Sequence, residues 1–202
     1  MKSVRLQKKL VLSALFAALI CAGGFIQIPL PGGIPVVVQD MMAMLSGLLL
    51  GPVFGGFAVL IFLLLGAVGL PVFTGKAGLQ VLIAGPTSGF LWGYFFAAVI
   101  GGIFLTLFLP KEKADATENG QAQNQSKSAK TASWLVLTLA ALLATATAFA
   151  CGVAGGILVM HLTLAKALPL YVLPFIPGNL AKLVIMVLLA NKIRPAVLAY
   201  TE

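Results

Sequence analysis

Polar positions are sparse along this chain, and the apolar stretches between them are long. The pattern predicts membrane-crossing helices near Leu10–Gln27, Val38–Leu50, Phe54–Val72, Pro86–Leu109, Trp134–His161 and Tyr171–Asn191. A helix needs about 20 apolar residues to cross a bilayer. The breaks between the stretches have chemical causes. Pro29, Pro31, Gly32, Gly33 and Pro35 cannot continue a helix. Gly51-Pro52 marks a tight turn inside an otherwise charge-free run, which leaves the second span short. Pro71, Gly75 and Gly78 end the third span, Gly85-Pro86 opens the fourth, and Pro169 and Pro174 precede the sixth.

Composition carries the same message. Hydrophobic residues make up 60% of the 202 and charged residues 9%, against about 25% charged in an ordinary soluble domain. Mean hydropathy is +1.09. Too few polar side chains exist to cover a soluble surface, so much of the surface is expected to face lipid. A soluble enzyme, a disordered chain and a disulfide-stapled secreted domain are excluded. The expected fold is an all-α integral membrane protein, a single domain over 1–202 with about six helices in one bundle.

The net charge of +8 is placed by topology rather than by a nucleic-acid partner. Lys2, Arg5, Lys8 and Lys9 open the chain, Lys111, Lys113, Lys127 and Lys130 lie in the middle, and Lys192 and Arg194 lie near the end. An even number of spans puts all three clusters on one side, with only Lys76 and Lys166 opposite. The positive-inside rule then places both termini in the cytoplasm, and the expected location is the cytoplasmic membrane. No basic face is interleaved with aromatics as nucleic acid would require. The stretch 111–133 is rich in Gln, Asn, Ser, Lys and Ala, and reads as a flexible cytoplasmic linker between helices four and five. The basic N-terminus is expected to be a retained first span rather than a cleaved signal peptide, because no small-x-small cleavage site is suitably placed. Cys21 and Cys151 lie in apolar spans and suggest neither a metal nor a disulfide.

Few residues are left to carry chemistry. Lys182 sits in the first turns of the last span, where an ionised group is costly. Either it snorkels to the outer interface or it faces the bundle and meets an anion. Asn179, three residues earlier, shares its helix face. Asn179 supplies an acceptor and two donors, while Lys182 supplies donors and a charge. The pair suits a ligand with an amide-like group and a carboxylate, and the helix N-terminus favours the anion. Asp40 either forms an ion pair with Lys182 or contacts ligand beside Gln39, and the sequence does not choose. His161 has no carboxylate or cysteine at a pairing distance, so it reads as interfacial. Gly75-Lys76 lacks the upstream Gly and the following Ser/Thr of a phosphate loop, so energy must come from a gradient or another subunit. Ala14, Ala18 and Ala22 form a small-residue face on the first span, suited to close helix approach within the molecule or to a partner.

Five stretches together resemble the BioY biotin transporters, substrate-binding S components of energy-coupling factor transporters. They are Ile28-Pro-Leu-Pro-Gly-Gly-Ile-Pro-Val-Val-Val-Gln39, Leu48-Leu-Leu-Gly-Pro52, Leu64-Leu-Gly-Ala-Val-Gly-Leu-Pro-Val-Phe73, Gly85-Pro-Thr-Ser-Gly89 and Leu173-Pro-Phe-Ile-Pro-Gly-Asn-Leu-Ala-Lys182. The resemblance implies six helices, biotin captured from the outer side under the loops, and no catalysis, cofactor or metal in this chain. It also implies a transmembrane T component and ATP-hydrolysing A subunits as partners, with Ala14, Ala18 and Ala22 as the T-component contact. Lys182 and Asn179 are the leading ligand-binding residues, followed by Gln39, Asp40, Gln80, Thr87 and Tyr94. Three positions depart from the family. Asn179 stands where the family usually has Asp, Asp40 where it has a small polar residue, and Phe90 where it has Tyr. The acid is expected to have moved, with Asp40 partly replacing the missing carboxylate. The same fold binding a related carboxylate-bearing vitamin or biotin precursor, a small membrane enzyme, a membrane scaffold and a solitary gradient-driven transporter are the alternatives.

Overall fold

The computed structural model describes residues 2–28, 36–109 and 122–201. Among the described residues seven α-helices run in the order α1 (Lys2–Gly23), α2 (Gln39–Val68), α3 (Leu79–Ala84), α4 (Ser88–Phe108), α5 (Ala122–Met160), α6 (Leu164–Tyr171) and α7 (Ile176–Thr201). A small hairpin of β1 (Gln27–Ile28) and β2 (Val36–Val37) joins α1 to α2, with Gln27 opposite Val37 and Ile28 opposite Val36. Among the described residues five helical stretches are long and apolar enough to cross a membrane.

One of the five is doubled. Gly51 interrupts α2 with φ 79 and ψ 178, outside the helical region. In a continuous helix Gly47 and Gly55 would lie about 12 Å apart at 1.5 Å per residue. Instead a Cβ on Gly55 would lie 2.5 Å from the Gly47 Cα, and Ser46 Oγ sits 3.1 Å from the Gly55 carbonyl. The chain therefore folds back at Gly51-Pro52, and the predicted second and third spans are the arms 39–50 and 52–68. The positive φ requires glycine, and Pro52 begins the second arm, where its missing N–H costs little. The first arm is about 18 Å long, shorter than a hydrocarbon core of about 30 Å.

Helix ends differ from the apolar limits. α1 starts at Lys2 rather than Leu10, because Lys, Arg and Gln are good helix formers and their stems extend along apolar surface. α2 stops at Val68, where Gly69 takes φ 119 and the Leu70 N–H bonds the Leu65 carbonyl at 3.1 Å. Pro169 lies inside α6 instead of ending it, and the last helix extends past Asn191 to Thr201. Residues 110–121 of the segment read as a linker lie outside the described residues. From Ala122 onward that segment is helical, the polar start of α5, in keeping with the helix propensity of Ala, Gln and Lys.

Small residues bring the helices together. Ala43, Ala58, Ala97, Ala98, Ala140, Ala141 and Ala144 are completely buried where α2, α4 and α5 meet. In lipid no hydrophobic force separates inside from outside, so close backbone approach supplies the packing energy. The outer surface is correspondingly apolar, with Val11, Leu64, Leu107, Leu135 and Leu158 all exposed. Ser13 is fully buried and its Oγ lies 2.9 Å from the Phe54 carbonyl, tying α1 to the second arm of α2. Both chain ends share one side, because Lys8 Nζ sits 5.0 Å from the Tyr200 ring centroid.

Candidate functional site

The first turns of α2, α4 and α7, the second half of α5 and the loop after α2 converge on a cavity at the end away from the termini. Asp40, Asn179, Thr87 and Tyr94 line it, together with the aromatic side chains Phe90 and Phe175.

Lys182 turns inward and does not snorkel. Its Nζ donates to Asp40 Oδ2 at 2.5 Å and to the Val37 carbonyl at 3.0 Å, with 12% and 13% of the Lys182 and Asp40 side chains exposed. Asp40 Oδ1 also accepts from the Met41 N–H at 2.7 Å. The structure thus forms the ion pair, and Asp40 still lines the cavity beside Gln39. Since Val37 lies on β2, Lys182 also ties β2 to α7 at the cavity. Two of the three ammonium protons are used, and the third remains for a ligand.

Asn179 is buried and donates through Nδ2 to the Phe175 carbonyl at 2.9 Å. That orients its carbonyl oxygen as the free acceptor. Gln39, 1% exposed, donates through Nε2 to the Val72 carbonyl at 2.8 Å. It thereby joins the start of α2 to the loop after it, and leaves its own carbonyl oxygen available. Thr87 precedes α4 at the rim, and Tyr94 is buried two turns further along. Gln80 is a different case: its side chain is exposed on α3 and does not line the cavity, because α3 turns Leu82 inward. His161 follows the end of α5 in a left-handed conformation, φ 52, and is exposed.

Most of the aromatic surroundings escaped the sequence, where Phe90 stands out only for its departure from the resemblance. Phe90 stacks on Tyr171 at 5.7 Å and 12°, and packs with Phe149 and Phe175 at 6.2 and 6.1 Å. The Tyr171 hydroxyl donates to the Pro86 carbonyl at 3.0 Å. A Cβ on Gly152 would overlap the Phe90 ring, and one on Gly156 would lie 3.0 Å from the Tyr171 ring. The spacing of those glycines was the available signal for a ring-bearing face. Met44, Phe73, Thr74 and Thr145 also line the cavity. Thr74 takes φ 55 in the tight turn from Phe73 to Lys76, which forms part of the rim. On α1, Ala14, Ala18 and Ala22 are exposed to the outside of the bundle.

A bundle of lipid-facing helices around a cavity with polar groups at its head and aromatic walls defines a multi-pass membrane protein built to hold a small amphiphilic molecule. The chain belongs to the BioY family, whose model matches residues 1–199. It is 40% identical over 122 residues to the biotin transporter BioY of Rhizobium etli, covering 59% of this chain and 62% of that protein. Against the biotin transporter BioY of Thermotoga maritima it is 43% identical over 97 residues, covering 48% and 56%. The matched stretches thus span little more than half the length of these relatives. The fold is similar to the crystal structure of an S-component for biotin from an ECF-type ABC transporter, with a TM-score of 0.76 and 25% identity over 96% of this chain and 95% of that one.

Proposed function

We propose that this protein captures biotin from the outer side of the cytoplasmic membrane, as the substrate-binding S component of an energy-coupling factor transporter. It is a transport subunit rather than an enzyme. ATP hydrolysis belongs to partner A subunits, and a T component couples them to this chain. The observation that carries this reading is the Lys182–Asp40 pair beside Asn179 at the head of an apolar cavity.

The charge balance sets the ligand's orientation. Lys182 and Asp40 neutralise each other, so a ligand carboxylate placed there would bury a net negative charge, at a cost of several kcal/mol. A ureido group adds no charge and matches what is free. Its carbonyl accepts from Lys182, and its two N–H groups donate to Asn179, Gln39 or Asp40. The thioether ring packs against Phe90, Phe149 and Phe175. The valerate tail points to the rim, where the Phe73–Lys76 turn places the exposed Lys76.

The test is calorimetric titration of the purified protein in detergent. Biotin should bind saturably. Biotin amide, which lacks only the tail charge, should bind within about threefold. Methylation of a ureido nitrogen should weaken binding at least thirtyfold, from a lost buried hydrogen bond and a clash worth about 2 kcal/mol or more together. Absence of saturable biotin binding refutes the function, and the reverse order of the two analogues refutes the orientation.

The exposed alanine face supports the T-component contact. Ala18→Trp should abolish co-purification with a T component and leave biotin affinity unchanged, because Ala18 faces away from the cavity. Retained co-purification would remove that face from the interface.

A further inference from the structure

A second cavity lies on the outer face of the bundle and shares no lining residue with the site described above. It is an open groove of about 700 Å³ between α1, the second arm of α2 and α4. Its walls include Leu6 and Leu10 from α1, Val53 and Phe57 from α2, and Phe95 and Val99 from α4. An apolar cavity of about 150 Å³ accommodates a benzene ring, so this groove has room for a long alkyl chain. The wall is apolar throughout, which excludes a polar ligand along its length.

One end of the groove is basic. Lys9 lies in the turn between Leu6 and Leu10, and its Nζ sits 5.4 Å from the centroid of Phe54, another ring of the wall. Arg5 precedes Leu6 and is exposed. Neither cation has a carboxylate partner among the described residues. The charges stand where α1 passes from its apolar span into its polar first turns.

We propose that this groove is a binding site for an anionic phospholipid, with one acyl chain along Leu6, Leu10, Phe57 and Phe95 and the phosphate against Lys9 and Arg5. A partner helix fits the walls less well. A helix is about 10 Å across and docks in lipid through small residues, whereas this groove is walled mainly by bulky apolar side chains, with Gly56 its one small residue. The small-residue face, Ala14 to Ala22, lies further along α1. The proposal is independent of the biotin site.

The experiment is native mass spectrometry of the delipidated full chain in detergent, with equimolar phosphatidylglycerol and phosphatidylethanolamine bearing identical acyl chains. Each cation near a membrane surface contributes roughly a fivefold preference for an anionic lipid, so the wild type should favour phosphatidylglycerol about thirtyfold. Arg5→Gln with Lys9→Gln should bring the preference to about threefold or less while adducts of both lipids persist. Val53→Trp, which fills the groove from an exposed position, should reduce adducts of both lipids at an unchanged unfolding temperature. Equal adducts of the two lipids in the wild type would overturn the proposal. So would a preference that survives the double substitution. Loss of T-component binding in Val53→Trp with lipid adducts intact would assign the groove to the partner instead.

Discussion

Lys182→Met is expected to weaken biotin binding by at least about thirtyfold. Truncating one member of a buried, hydrogen-bonded charge pair typically costs about 2–5 kcal/mol, and each 1.4 kcal/mol is a factor of ten. Three interactions end together: the proton offered to the ligand, the ion pair with Asp40 and the tether to the Val37 carbonyl. The single variant also leaves Asp40 buried without a cation, which destabilises by about 3–5 kcal/mol. The combination Asp40→Asn with Lys182→Met separates the two effects. It removes the pair as a unit, so the unfolding temperature should return most of the way to wild type while biotin affinity stays low. Asp40→Asn alone uncovers the Lys182 charge. It should reverse the ligand, so that the carboxylate meets the unpaired Lys182 and the site prefers biotin over biotin amide by more than about tenfold. Wild-type affinity in Lys182→Met, measured by titration calorimetry, would remove Lys182 from the site.

Gly47→Val is expected to abolish recovery of folded protein. A Cβ at Gly47 would overlap the Ala98 carbonyl oxygen and lie 2.6 Å from its carbon, and from the other side Gly55 already crowds the Gly47 main chain. These neighbours are helix backbone and cannot move aside as a side chain would. The cost exceeds the roughly 1–3 kcal/mol of ordinary overpacking. Gly75→Asn is the contrast. Gly75 has φ 79 and no atom within 4 Å of a Cβ, and Asn tolerates the left-handed region. Size-exclusion of a fluorescent fusion should show a folded peak for Gly75→Asn and aggregate for Gly47→Val. A folded Gly47→Val would mean that the arms of α2 are not locked against α4.

Phe90 shows how a position singled out by resemblance changes meaning in three dimensions. As a sequence position it reads as one hydroxyl fewer than Tyr. In the structure it is the centre of an aromatic wall, held by Tyr171 on one side and Phe149 and Phe175 on others. The partner of Lys182 is decided in the same way. Its carboxylate is that of Asp40, delivered by α2.

Local covalent and solvation rules determined much of this protein from the sequence alone. Proline and glycine placed the breaks, including the reversal at Gly51-Pro52. The scarcity of charge required lipid, and helical spacing put Asn179 and Lys182 on one face. The exposure of Ala14, Ala18 and Ala22 follows the periodicity that grouped them. The tertiary structure alone decided the rest. It paired Asp40 with Lys182 across 142 positions of chain, turned Gln39 inward to Val72 and Gln80 outward, and gathered the rings around Phe90. In water, polarity marks the buried face of a helix. In lipid both faces are apolar, so the inward face is chosen by side-chain volume and backbone approach between distant segments, which no periodicity along one helix records.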